Sequence, residues 1–70
     1  MLRNKEVVCT VNGTREIFIE NYGSLGDFTD GKIILHCFRC DLVIEGKGLV
    51  IEYFTDMDMK ITGCIQSIRF

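Results

Sequence analysis

The 70-residue chain has no proline, a single histidine, and no fully apolar run longer than three residues. Each absence excludes something. Without proline, glycine is left as the main punctuation, and most of the seven glycines stand where the apolar pattern breaks. The short apolar runs, such as Ile33–Leu35 and Leu49–Ile51, fall far below the roughly 20 residues a membrane-spanning helix needs. The polar start Met1-Leu2-Arg3-Asn4-Lys5-Glu6 lacks the apolar stretch of a secretory signal, so the expected location is the cytoplasm. Basic runs are missing too. Lysine and arginine stand singly, at positions 3, 5, 15, 32, 39, 47, 60 and 69, within a net charge of −2. No group of them neutralises successive phosphates, which argues against nucleic acid.

Catalytic patterns are equally scarce. No Gly-x-Ser-x-Gly occurs, and Ser24 and Ser67 have no base near them in sequence. His36 adjoins Cys37, but neighbours on a strand point to opposite faces. Gly46-Lys47-Gly48 lacks the glycine-rich run, the following Ser or Thr and the helix of a phosphate loop. The expectation is a protein without enzymatic activity, cofactor or small-molecule substrate.

What is present is β-pattern. Apolar residues make up 47% of the chain, enough for a folded core. Residues 1–70 suffice for one domain only, and a chain this short buries roughly 60% of the surface it exposes when unfolded. Such a thin core gains from a disulfide, a metal or a partner chain. Val7, Cys9 and Val11 alternate with Glu6, Val8 and Thr10, Asn12-Gly13 suits a two-residue hairpin turn, and Arg15, Ile17 and Ile19 alternate with Glu16, Phe18 and Glu20. A short strand is expected around Leu25–Thr29, followed by a turn at Asp30-Gly31. Lys32–Phe38 is apolar on both faces and reads as a central strand covered on both sides. Further strands are expected at Leu42–Glu45, Leu49–Phe54, Met59–Thr62 and Cys64–Phe70, with Gly46-Lys47-Gly48 turning the chain and Gly63 interrupting it. The only stretch without clear alternation, Asn21–Asp30, is too glycine-rich for a stable helix. The fold class is therefore all-β: a small antiparallel meander of about six to eight short strands, closing into a barrel or two-layer sandwich.

Three constellations carry potential chemistry. Cys37-Phe38-Arg39-Cys40 has the Cys-x-x-Cys spacing of a zinc or redox pair, with Cys9 and Cys64 as the remaining thiols. No second such pair completes a zinc site, and no helix follows to activate a redox thiol. Asp27, Asp30, Asp56 and Asp58 form an acidic group that turn hydrogen bonding explains as well as ligation does. Among the aromatic residues, Phe18, Tyr22, Phe38 and Phe70 are candidates for an interaction surface; the glutamates that share the parity of Phe18 and Tyr22 disfavour a nucleic-acid platform and are compatible with core or with a protein interface.

The order of several short motifs carries a family signal. Ile17-Phe18-Ile19-Glu20-Asn21-Tyr22-Gly23 is followed by Phe28-Thr29-Asp30. Then come Leu42-Val43-Ile44-Glu45-Gly46-Lys47-Gly48-Leu49-Val50-Ile51 and Met59-Lys60-Ile61-Thr62-Gly63-Cys64-Ile65-Gln66-Ser67-Ile68-Arg69-Phe70. In this order the chain resembles the YabP/YqfC family of sporulation proteins from about Ile17 onward, and is nearer the YqfC branch. It departs from that pattern in lacking the leader of longer members, in having no tail after Phe70, and in its cysteine-rich His36–Cys40 stretch. The resemblance implies a non-catalytic role in endospore formation, in the mother-cell compartment, with a membrane-protein companion. It assigns no site residues. Strands apolar on both faces add an expectation of self-association, because one short chain has little with which to cover both sides of a sheet. A Cys-based metal or redox module built on Cys37 and Cys40 is the alternative.

Overall fold

A computed structural model describes residues 6–70; the polar start read above as lacking a signal lies, up to Lys5, outside the described residues. Six strands form one antiparallel sheet: β1 (Val8–Asn12), β2 (Glu16–Glu20), β3 (Ser24–Phe28), β4 (Lys32–His36), β5 (Asp41–Phe54) and β6 (Asp58–Arg69). Their spatial order is β1-β2-β6-β5-β4-β3. Four strands, β3 to β6, make the expected meander. The β1–β2 hairpin does not extend it at the β3 side; it docks on β6, with Ile17 opposite Ile61 and Ile19 opposite Met59. The sheet is not closed into a barrel, since β1 and β3 remain its two edges.

The alternation of the sequence is kept in β2, β4, β5 and β6, whereas β3 is exposed throughout and β1 nearly so. Ile17 and Ile19 of β2, Ile33 and Leu35 of β4, Leu42, Ile44 and Leu49 of β5, and Met59 and Ile61 of β6 are all essentially inaccessible to solvent. With Tyr22 they form one cluster, against which Val7, Cys9, Cys37, Ile51, Ile65 and Ile68 pack. No helix or second sheet among the described residues covers that face. A flat six-stranded sheet would leave it wet, so the sheet is its own covering layer, curled so that its two wings share one core.

The curl is made where four separate strands were expected. Leu42–Glu45 and Leu49–Phe54 are one 14-residue strand, and Met59–Thr62 and Cys64–Phe70 are one of 12 residues. Gly46-Lys47-Gly48 does not reverse the chain. It forms bulges, at Glu45/Gly46 and Lys47/Val50, that bend β5 while the ladder continues on either side. Neighbours satisfy the backbone around the bend: Gly46 N–H donates to the Gly31 carbonyl (3.1 Å), Leu49 to Asp30 (2.9 Å), Gly63 to Arg15 (3.2 Å) and Ile65 to Thr14 (2.8 Å). At the bend the two backbones nearly touch. A Cβ on Gly46 would collide with the carbonyl of Cys64, and one on Gly63 would lie 2.6 Å from the carbonyl oxygen of Gly48. Gly63 also has a φ of 134°, which side-chain-bearing residues rarely adopt.

Other differences are smaller. The β1–β2 turn spans Gly13–Arg15, one residue more than a two-residue loop, and keeps Cys9 opposite Ile19 and Val11 opposite Ile17. β4 ends at His36 and is covered on one face only: Ile33 and Leu35 are buried, Ile34 is half-buried, and Phe38 lies beyond the strand, exposed. The reading of this strand as covered on both sides fails because no second layer lies over its outer face.

The bend yields a sharp test. Gly46→Ala places a methyl against backbone that cannot step aside, and should cost about 3 kcal/mol, the upper end of overpacking penalties. Gly13→Ala, at φ 60° with open space around it, should cost only about 1–2 kcal/mol. Urea unfolding of the two variants measures the difference; equal losses would show that the close approach at Gly46 does not matter.

Candidate functional site

The side of the fold away from the glycine bend gathers most of the residues singled out in the sequence. The β2–β3 connection runs through Asn21, whose φ of 63° is left-handed, and Tyr22. Asn21 N–H donates to the carbonyl of Met57 (2.7 Å), and the Tyr22 hydroxyl donates to that of Thr55 (2.7 Å), so this connection clasps the β5–β6 turn. Tyr22 is thus a core residue, not a surface one: its ring is buried and its polar tip is satisfied. Just beyond it, Gly23 lies against the His36 carbonyl at the end of β4. The β4–β5 and β5–β6 turns are therefore both neighbours of one short connection.

Around that connection stand exposed apolar side chains. Phe38 tips the β4–β5 turn, Phe54 and Met57 flank the β5–β6 turn, and Phe70 follows β6. Phe38 and Phe70 were expected at a surface; Phe54 was missed, though its place at a strand end before Thr55-Asp56 was a signal. Phe28 on β3 is also exposed. Phe18, the remaining phenylalanine, is half-buried on the outer face of β2, with the Lys60 ammonium 5.3 Å from its ring centre. Lys60 also pairs with Glu16 at 3.6 Å. Phe18, Glu20, Tyr53 and Asp58 share a shallow hollow of about 300 Å³ on that face. Arg39 lies 5.3 Å from the ring centre of Phe38 and pairs with Glu6 at 3.0 Å, tying the β4–β5 turn to the segment before β1.

The cysteines divide three to one. Cys37 and Cys40 flank the β4–β5 turn and are half-buried, as is Cys9 on β1, whereas Cys64 is exposed on β6. Burial pushes the Cys37 thiol up to about 11, with further contributions from Cys40, Cys9 and Asp41, against a hydrogen bond from the Leu42 backbone that lowers it. Cys9 is raised too, by burial and then by Cys40. Cys40 thus disfavours the thiolates of both Cys37 and Cys9, which places the β1 thiol near the β4–β5 turn. Cys64 is apart from them. Among the described residues no group of three or more His, Cys, Asp or Glu side chains is arranged to hold a metal ion. Of the acidic residues, Asp30 and Asp56 stand in turns, Asp58 opens β6 and Asp27 lies in β3. In Thr29-Asp30-Gly31-Lys32 and Thr55-Asp56-Met57-Asp58 it is the threonine that organises the loop: Thr29 Oγ1 accepts from Gly31 and Lys32, and Thr55 Oγ1 from Met57 and Asp58. Asp27 accepts from the Phe28 amide. His36 pairs with Asp41 at 2.9 Å on the exposed side of the same hairpin.

A family model, that of the YabP family, matches residues 3–70. The chain belongs to the YabP family. The match takes in all six strands, including the β1–β2 hairpin that precedes most of the motifs carrying the resemblance. No curated protein and no solved structure matches the chain. YabP membership is consistent with a sporulation-associated protein.

The thiols can be ranked experimentally. A thiol held up to about 11 stays protonated at neutral pH, and alkylation requires the thiolate. In the folded protein Cys64 should react first with iodoacetamide and Cys37 last. The Cys37 rate should climb about tenfold per pH unit until it levels near 11. The linkage sign follows: a raised native value favours the fold below the ordinary 9.0, and that contribution is lost as pH rises from there through about 11. Site-resolved mass spectrometry across pH checks the order, and a flat Cys37 profile would refute the assigned protonation.

Proposed function

We propose that this YabP-family chain is a non-enzymatic interaction module of endospore formation that displays its phenylalanines to a protein partner. One observation carries the reading. Of the five phenylalanines in the chain, Phe28, Phe38, Phe54 and Phe70 are exposed and Phe18 is only half-buried. The core is built from isoleucine, leucine, methionine and one tyrosine. Phenylalanine is ordinarily among the residues most often buried, and aromatic side chains are enriched where proteins meet. A thin-cored domain that keeps its largest apolar side chains outside is suited to cover them on binding. Phe38, Phe54 and Phe70 are the main interaction residues in this reading, with half-buried Phe18 contributing from the outer face of β2. Tyr22 takes a supporting part by clasping the turn that bears Phe54 and Met57.

Spore formation, action in the mother-cell cytoplasm, placement nearer the YqfC branch and a membrane-protein companion come from the family likeness. Self-association is supported by the fold as well. The β1 edge, Val8–Asn12, carries no charged side chain, whereas β3 carries Asp27 and a bulge beside Gly26. No small-molecule substrate, cofactor or nucleic acid enters the proposal.

The test is genetic with a biophysical control. In a spore-forming host that carries this gene, a variant with Phe38, Phe54 and Phe70 replaced by serine should lower the yield of heat-resistant spores as deletion does. Its β-sheet circular dichroism should stay intact, because none of the three side chains is in the core. Normal spores from both strains would sink the proposal. Sedimentation at rising concentration reads the self-association arm, and a wild-type monomer throughout removes it.

A further inference from the structure

The β4–β5 turn sets two cysteines opposite one another. His36 pairs with Asp41 in the ladder, so Cys37 stands opposite Cys40 one step farther out. The Cys37 N–H donates to the Cys40 carbonyl at 2.9 Å, which closes the turn over Phe38 and Arg39. Residues facing each other in a hydrogen-bonded antiparallel pair keep their Cα atoms about 5.5 Å apart. A disulfide accepts Cα separations of about 4.4–6.8 Å, a range that includes the spacing of such a pair. Alternation from buried Leu35 and Leu42 sends both side chains toward the same face of the hairpin, and neither is sealed from solvent.

We propose that Cys37 and Cys40 are a reversible disulfide site, oxidised by exchange with a small-molecule disulfide. The Cys40 thiolate attacks one sulfur of the oxidant RS–SR. The oxidant's S–S bond breaks, a Cys40–SR mixed disulfide forms, and RS⁻ leaves to take up a proton. Cys37 then loses its proton and attacks Cys40 Sγ, expelling the second RS⁻, which is protonated in turn. Two protein thiols are oxidised to one disulfide, and one RS–SR is reduced to two RSH. Cys40 acts first because the raised Cys37 thiol is almost wholly protonated near neutral pH. The same protonation makes the closing step slow at neutral pH. The ring so closed spans only Cys37 to Cys40, so it adds little to global stability, which grows with loop length. Its effect is local: it fixes the turn that carries Phe38 and the Arg39–Glu6 pair. This chemistry does not depend on the interaction reading.

The experiment uses the folded chain with Cys64→Ser, which removes the exposed thiol that would cross-link copies. Protein prepared under reducing conditions is incubated with glutathione disulfide at about pH 8, quenched in acid and mapped by mass spectrometry. The expected product is two hydrogen atoms lighter, linked Cys37 to Cys40, and returned to dithiol by dithiothreitol. Adding Cys37→Ser should stop the reaction at a glutathione adduct on Cys40. Adding Cys9→Ser should leave the product and, to within about twofold, its rate unchanged. A link to Cys9, adducts that never close in the parent, or no reaction while the urea-unfolded chain oxidises would each overturn the proposal. So would zinc retained stoichiometrically on these thiols.

Discussion

The fold depends on one constraint: a single sheet in a chain of 70 residues has to cover its own apolar face. There is no helix to lay across it among the described residues. The long β5–β6 hairpin meets the constraint by bending in register, and it can bend because Gly46 and Gly63 let two backbones come within contact distance. Everything buried follows from that bend. It places Ile17, Ile19, Met59 and Ile61 of one wing in the same cluster as Ile33, Leu35, Leu42 and Ile44 of the other. It also swings the turns at Phe38–Arg39 and Thr55–Met57 toward the Asn21–Gly23 connection, where Tyr22 fastens one of them.

This explains which parts of the structure were legible in the sequence. Local alternation is a property of a strand and its two faces, so β1 to β4 stand within a few residues of where the pattern puts them. Glycine is ambiguous in a way alternation is not. The same residue that permits a hairpin turn also permits a bulge, and only the neighbouring strands decide between them. Gly31 and Arg15 supply the carbonyls that keep Gly46 and Gly63 inside the ladder, and nothing near those glycines in sequence announces it. Pairing of β2 with β6 was illegible for the same reason: period-two patterns name a face, not a partner. The grouping of Cys9 with Cys37 and Cys40 depends on that long-range closure, so sequence spacing revealed only the Cys37–Cys40 half of it.

Aromatic placement is where sequence logic and structure part most usefully. An apolar residue in an alternating strand is read as core by default. Tyr22, outside a strand, and Phe38, at the end of an expected strand, were both candidates for an interaction surface, and only Phe38 is exposed. The difference is a hydrogen bond. Tyr22 can bury its ring because Thr55 offers a carbonyl to its hydroxyl, so the residue seals the joint between a connection and a turn. A phenylalanine has no such handle, and at a turn tip it has nothing to seal. Phe38, Phe54 and Phe70 therefore represent apolar surface that the fold leaves uncovered.

That uncovered surface bears on stability as well as on binding. Small domains sit close to the threshold of folding, and this one withholds its largest apolar side chains from the core. A ligand that binds only the native state stabilises it by an amount set by its concentration relative to its dissociation constant. Covering Phe38, Phe54 and Phe70 with a partner would thus tighten the two turns that close the wings, and the wings in turn hold the core. On the proposed reading, recognition and folding would act on the same joint. The segment around Tyr22 is at once the fastening of the curled sheet and the base on which the displayed side chains stand. On the proposed reading, a change that loosens it, such as loss of the Tyr22 hydroxyl, would weaken both together, whereas a change at a displayed phenylalanine would reach binding alone.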